Sequence, residues 1–379
     1  TGLLQPLSRF APRAVNNRSA MAPTHKGALP SSAKVHGALA LCQVLFGAGA
    51  VVGALGLPAF NPLVFALLRE ALAAPLLATA AYLTTRTKMT DFAPYARLFG
   101  ECGALIFGNQ GLFVVGLKLS NPVAGAIWQP SQPIFTAALA SFIGAETPSP
   151  LRFAGVALAF LGCATMVSFR AHETHTTGGN LTRELCGHVC FFGNCICTSG
   201  YVLRSKQLLR RFPALCVTAG SYVVAALCML VTCVLLNSSE YIVAFLCPDC
   251  DGAWAVPRGA WLPLLYWVLC QSCAAYALMT WANRVASASL VSGYSALQPV
   301  TAAVLAAVAV ALEWAPACTP LRRGGSCLAY PGVGDLGAVG VFAGLYLVVA
   351  SEPAATSSRD PVDPAPLLAE KSSSEALGP

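Results

Sequence analysis

The chain has 379 residues, 56% of them hydrophobic and only 10% charged, against about 25% charged in ordinary soluble proteins. So little polar side chain cannot clothe a soluble globule of this size, and the bilayer is the expected solvent. The net charge of +7 does not point to nucleic acid, because the basic residues scatter over loops with no stacked aromatic motif beside them.

Taken in chain order, residues 1–34 carry five basic and no acidic side chains among Ser, Pro and Ala. This composition suits a disordered cytosolic tail or the remnant of an organelle transit peptide; the first apolar run starts too late, and runs too long, for a secretory signal. The first residue is Thr1 rather than Met, as in a truncated or processed chain. A helix needs roughly 20 apolar residues to cross the hydrocarbon. Ten segments qualify: 35–57, 61–83, 95–117, 121–144, 151–169, 185–203, 212–236, 260–282, 287–312 and 333–350. The sixth is rich in Cys and Gly, and the tenth is short. Residues 170–184 form an extracytosolic loop in this reading. From 351 to 379 the chain is Pro, Ser, Ala and charge, as expected of a disordered cytosolic tail with phosphorylatable serines at Ser372–Ser374.

With the N-terminus in the cytosol, 14 basic residues of the tail and loops fall inside and six fall outside, which satisfies the positive-inside rule. Two Asn-x-Ser/Thr sequons, at Asn180 and Asn237, independently fall on the outer side and are candidate glycosylation sites.

The dipeptide Gln-Pro stands mid-way along two of these segments, at Gln132-Pro133 and Gln298-Pro299, 166 residues apart. At the same offset Lys118 answers to Arg284 and Trp128 to Tyr294, while Glu146 answers to Glu313 one residue out of step. A polar, helix-breaking pair repeated at mid-membrane depth is the pattern of a two-repeat transporter. Five spans per half (35–169 and 185–350) make the second half enter the membrane upside down, so the expected fold is all-α integral membrane: ten transmembrane helices as two inverted five-helix repeats.

The stretch from Asn109 to Val167 resembles the EamA module of the drug/metabolite transporter superfamily. The likeness is carried by Gly116-Leu117-Lys118 leading into Ser120-Asn121-Pro122-Val123-Ala124, then Gln132-Pro133-Ile134-Phe135-Thr136 and Gly144-Ala145-Glu146. It closes on Leu151-Arg152-Phe153-Ala154-Gly155 and the small residues through Gly162. Asn109-Gln110 is most similar to the plant nodulin-like members, and Arg69 fits the family's usual arginine. The second half matches more loosely, from Tyr276 to Ala307 and Glu313, and departs afterwards in a Cys-containing loop of about 20 residues. The resemblance implies a ten-helix carrier of small organic solutes, in a superfamily that moves amino acids, nucleotide derivatives, sugars and drugs.

Ionisable side chains inside the bilayer cost about 3 kcal/mol or more at its centre, and the ten segments hold three: Arg69, Glu70 and Glu101. Arg69 lies about 13 Å into its helix at 1.5 Å per residue. Its planar fork suits a substrate carboxylate or phosphate; the plainer alternative is a structural pair with another helix. Glu70 points about 100° away from Arg69, where a buried carboxyl has the chemistry to couple transport to protons or to serve as a structural group. Glu101, four residues after Arg97, suits an i,i+4 ion pair. On the fourth segment Gln129, Gln132 and Thr136 form one polar stripe bordered by Trp128, and on the ninth Tyr294, Ser295, Gln298 and Thr301 are the counterpart. Pro130 and Pro133 free carbonyls near positions 126 and 129. These stripes either line a shared midplane cavity or bond helices together. Asn109, Gln110, Gln271, Trp281 and Asn283 are further cavity candidates, and Glu146 and Glu313 mark helix ends.

Sixteen cysteines are present. Cys186, Cys190 and Cys197 suit packing on the sixth segment, and His188 stands off that stripe, which argues against zinc. Cys247 with Cys250, and Cys318 with Cys327, fall in loops on the oxidising side as candidate disulfides. His172-Glu173-Thr174-His175 is too short for a zinc-protease motif. No metal, cofactor or enzymatic cluster is expected. The expected activity is secondary transport by alternating access, with Arg69, Trp128, Gln129, Gln132, Tyr294 and Gln298 at the substrate; the alternative is a non-transporting polytopic scaffold or receptor. The expected partners are a small organic solute and the lipid bilayer, with a homodimer left open. The expected location is the plasma membrane or an endomembrane, with the plastid envelope not excluded.

Overall fold

The structure, a computed structural model, describes residues 30–351 apart from 57–59, 88, 121–124, 126–127, 147, 175–180, 249, 251 and 315–332. Asn180, Cys318, Cys327, most of the N-terminal tail and nearly all of the C-terminal tail lie outside the described residues. Every regular element among those described is helical. They are α1 (Ser32–Gly56), α2 (Pro62–Thr85), α3 (Ala96–Leu119), α4 (Gln132–Phe142), α5 (Pro150–Thr174), α6 (Leu181–Leu209) and α7 (Ala214–Asn237). After these come α8 (Glu240–Leu246), α9 (Trp261–Tyr266), α10 (Tyr276–Asn283), α11 (Ala288–Gly293), α12 (Leu297–Ala311) and α13 (Gly337–Ala350). Seven described helical stretches are long and apolar enough to cross a membrane, and Pro150–Thr165 and Gly337–Ala350 are shorter apolar helices. The chain is thus a multi-pass integral membrane protein.

Local chemistry sets the helix boundaries. Asn61 caps α2 by accepting from the Leu63 amide at 3.0 Å, with Pro62 at the first helical position. Ser287 caps α11 in the same way through the Leu290 amide. Prolines also break regularity inside the segments. Short 3-10 turns at Gln129–Ser131 and Tyr294–Ala296 precede Pro133 and Pro299, and a π-helical stretch at Trp267–Ala275 joins α9 to α10.

The first half packs on the second along most of its length: α3 against α6 and α7, α2 against α7, α1 against α12, α4 against α6, and α5 against α13. The α5–α13 contact is made by small residues. A methyl group on Gly155 would meet the Gly344 carbonyl at 2.7 Å, and one on Gly162 would meet the Gly337 carbonyl at 2.5 Å. Close backbone approach of this kind replaces the hydrophobic driving force that lipid does not supply. Leu161, Val189, Leu235 and Phe342 face outward, as lipid-facing side chains do.

At one end, Asn61 and Asn237 both donate to the Ala253 carbonyl, at 2.8 and 3.1 Å. Asn61 also donates to the Asn237 side-chain oxygen. The Cys247–Cys250 disulfide stands just before Ala253 at the start of the same loop, and the Cys247 sulfur contacts the Phe60 carbonyl. Asn237, a sequon asparagine, is buried here with its amide committed to protein partners.

Candidate functional site

The buried polar side chains concentrate where the halves meet. Arg69 of α2, 3% exposed, donates through Nε to Ser272 Oγ at 2.7 Å, and its guanidinium stands 4.9 Å from the centre of the Trp267 ring. It therefore bridges to the π-helical stretch of the second half, by a hydrogen bond and a cation–π contact. Its neighbour Glu70 is fully buried, and neither carboxyl oxygen has a hydrogen-bond partner. Adjacent positions on a helix point in different directions, so the two groups do not pair.

Asn109 and Gln110 of α3 join the same region. Asn109 donates to Thr198 at 2.5 Å, accepts from the Tyr276 hydroxyl at 3.0 Å, and receives Asn194 on its carbonyl at 2.8 Å. Gln110 donates to the Tyr222 hydroxyl at 2.5 Å while its own side-chain oxygen has no partner. Gln271 donates to the Phe46 carbonyl, and Asn283 to the Val202 carbonyl and Ser205. Of the secondary cavity candidates, four are thus tied between helices.

The glutamine side chains of the two stripes do not bond to each other; each set reaches the first helix of the opposite half. Gln298 donates to Gln43 Oε1 of α1 at 2.8 Å, and Thr301 donates to the Gln43 carbonyl. Gln132 donates to Gln129, which donates to Asn194 of α6 at 3.3 Å. The fourth and ninth segments touch instead through Thr136 and Ser292 at 2.8 Å, and through Ser295, which donates to the Gln129 carbonyl at 3.3 Å. Pro133 removes the i+4 donor of that carbonyl, which instead accepts the Gln132 amide in the 3-10 turn, and the Ser295 hydroxyl of the other half adds a second donor. Without water, such groups must find protein partners.

These contacts recur in pairs. His36 Nδ1 lies 2.6 Å from the Tyr294 hydroxyl, and Trp128 donates through Nε1 to His188 Nδ1 at 3.0 Å. Cys42 donates to the Ala275 carbonyl, and Asn194 to the Asn109 carbonyl. Ser199 donates to the Gln132 carbonyl at 3.3 Å, and a methyl group on Gly47 would stand 3.0 Å from the Gln298 carbonyl. In every pair the positions on α1 and α6 differ by 152 and the partner positions by 166.

Sequence reasoning passed over His36, Gln43 and Asn194, and took His188 only as a residue off a cysteine stripe. It also took Glu146 for a helix-end marker. Glu146 in fact accepts from the Ala288 and Ser289 amides at 2.6 and 3.2 Å, from Ser289 Oγ at 2.6 Å and from Arg152 at 2.8 Å. It caps α11 of the other half, where a helix N-terminus favours a carboxylate. Glu313 is exposed, with a left-handed φ of 58°. Glu101 pairs with Arg97 at 3.1 Å and with Arg204 at 2.5 Å. Among the described residues no three His, Cys, Asp or Glu side chains are grouped to hold a metal.

A multi-pass helical membrane protein whose two halves share a buried, hydrogen-bonded polar interface has the build of a membrane transporter. The EamA-like transporter family matches at residues 35–168 and 185–311, and the chain belongs to that family. It is similar to a WAT1-related protein of Arabidopsis thaliana, 24% identical over 85% of this chain and 86% of the relative. It is also 24% identical to Protein WALLS ARE THIN 1 of the same plant, over 64% of this chain and 63% of that one. An uncharacterized transporter, YyaM, of Bacillus subtilis is 28% identical over 45% of the chain and 55% of its own length. A solved crystal structure shares the fold with a TM-score of 0.64 at 16% identity, covering 85% of this chain and 97% of the other.

Proposed function

We propose that the protein is a secondary carrier of small organic solutes that works by alternating access between two inverted five-helix halves, 35–169 and 185–350. One observation carries this reading: three contacts of α1 with the second half recur as contacts of α6 with the first. Two units related by a twofold axis in the membrane plane exchange contacts in this manner, and such an exchange equips one chain for two mirror-related states. The N-terminus lies in the cytosol, as the 14-to-six distribution of basic residues supports.

Within this carrier Arg69 receives an anionic group of the solute. Its present partners, a serine hydroxyl and an indole face, are neutral and give way to a carboxylate or phosphate without leaving a charge stranded. Gln129, Gln132, Tyr294 and Gln298, with Trp128 at the wall, supply polar contacts once the halves part. Glu70, buried with two unbonded oxygens beside that arginine, is the group placed to exchange a proton during the cycle.

Uptake into proteoliposomes of labelled amino acids, nucleosides and organic anions tests the reading. Concentrative uptake of at least one anionic solute, lost in Arg69→Gln, is expected. A well-folded protein that moves nothing across that panel, or moves anions equally well without Arg69, would refute it.

A further inference from the structure

We propose that His36 and His188 are paired gate residues, each latching one end of the passage between the halves. The proposal rests on the inverted-repeat reading above and goes beyond it, since neither histidine belongs to a stripe or motif of that reading. Each sits near the N-terminal end of the first helix of its half, in α1 and α6. Each bonds an aromatic residue four positions before a Gln-Pro pair of the other half: His36 with Tyr294 at 2.6 Å, and His188 with Trp128 at 3.0 Å. If the halves run in opposite directions, the first bond stands toward one membrane face and the second toward the other. Both bonds are made together in this structure.

The two latches differ in chemistry. An indole N–H only donates, so His188 must present an unprotonated Nδ1 to Trp128. A phenol both donates and accepts, so the His36 bond forms with either imidazole tautomer. Trp128 also rests edge-on against Phe192, with ring centres 6.2 Å apart. Neither latch is an ion pair. A neutral hydrogen bond has a modest net worth, equivalent to a shift of about five- to tenfold in an equilibrium, which suits a contact that must break in every cycle.

Competition between populations provides the test. If each latch closes one end, losing it raises the share of molecules open at that end and lowers the share open at the other. A contact that merely supports local structure would loosen its own end and leave the opposite end unchanged. Amide hydrogen exchange of the full chain in lipid nanodiscs, read by mass spectrometry, separates the two. In His188→Ala, exchange should quicken about five- to tenfold over the first turns of α6 and around Trp128. It should slow over the first turns of α1 and around Tyr294. His36→Ala should give the reverse pattern. Tyr294→Phe and Trp128→Phe, which remove little beyond the bonding group, should reproduce their partners' patterns. Quickening throughout α2 and α7, which pack chiefly on each other and on α3, marks a variant that fails to fold, and the phenylalanine variants then decide. Quickening confined to the altered end, quickening at both ends, or no change overturns the latches. Tags placed before His36 and before His188 give an independent control. If both are reached from the same membrane face, the inverted repeat fails and the latches fail with it; opposite faces with only local quickening overturn the latches alone.

Discussion

Replacing Glu146 with alanine should damage this protein more than any other single change on its surface-facing loops. The carboxylate accepts two α11 amides, the Ser289 hydroxyl and the Arg152 guanidinium. Only 13% of its side chain and 9% of that of Arg152 are exposed. A hydrogen bond to a charged group is worth about 1.5–3 kcal/mol, and removing one partner of a buried pair costs about 3–5 kcal/mol because the other charge is left behind. The four contacts act as a unit, so we expect a total loss of about 3–5 kcal/mol rather than the sum of separate bonds. Glu146→Gln keeps an acceptor oxygen for α11 and should lose less. Thermal unfolding of the purified protein, run as a cycle with Arg152→Ala, provides the measurement. The double variant should be less damaged than the two single losses added together, since the arginine is costly chiefly when its carboxylate is gone. A loss below about 1 kcal/mol, or strict additivity in the cycle, would refute the argument that this residue locks α11 to the first half.

Gly344→Leu should prevent normal packing of α13 on α5, because the added carbon atoms would meet the backbone of Gly155 and Ala159 rather than flexible side-chain ends; the folded yield should collapse, whereas Gly37→Leu, with open space around its position, should be tolerated. Arg69→Gln should insert and fold nearly as the parent while transport of an anion falls at least tenfold, and Arg69→Lys should recover only part of it because the planar fork is lost; equal losses of insertion and transport would leave Arg69 a purely structural role. Gln298→Leu strands Gln43 and should cost about 1–3 kcal/mol, whereas adding Gln43→Leu should recover much of that loss in the same unfolding assay. Replacing Cys247 and Cys250 together with serine should quicken amide exchange in the Gly252–Pro257 loop and around Asn61, which that loop covers, while exchange around Gln298 stays unchanged.

Much of the helical frame was legible from apolar run length alone, since lipid demands closed backbone hydrogen bonding and helices supply it. The seven long spans were readable in that way, and the Cys247–Cys250 bridge and the Arg97–Glu101 pair from their short spacing in the chain. The partners of the polar residues were not. Gln298 and Gln43, or Glu146 and Ala288, are far apart in the chain, and no local period links them. The repeat itself was half visible. An offset of 166 aligns the fourth and ninth segments, yet α1 and α6 align at 152, so a single offset misses His36 and His188. The difference falls in the connection between α7 and α9, where α8 and the loop that starts at the disulfide make the second half's link longer than the turn between α2 and α3. An internal comparison that allowed one insertion there would have found both histidines.

The choice of amides over charges midway along these helices suits the alternating-access cycle proposed above. Gln298 to Gln43, and Gln132 through Gln129 to Asn194, are neutral contacts between the halves. An ion pair in their place would hold the halves fast, because separating it strands two charges in a medium that solvates neither. An amide pair satisfies the polar groups at a modest net gain, and it can be exchanged for a water or a solute hydroxyl when the halves part. The strong charge contacts stand elsewhere. Glu146, on Arg152 and on the start of α11, and Glu101, with Arg204, bind elements at the helix ends. Strong contacts at the helix ends and neutral amide contacts along the middle suit the separation of the halves that the proposed alternating-access cycle calls for.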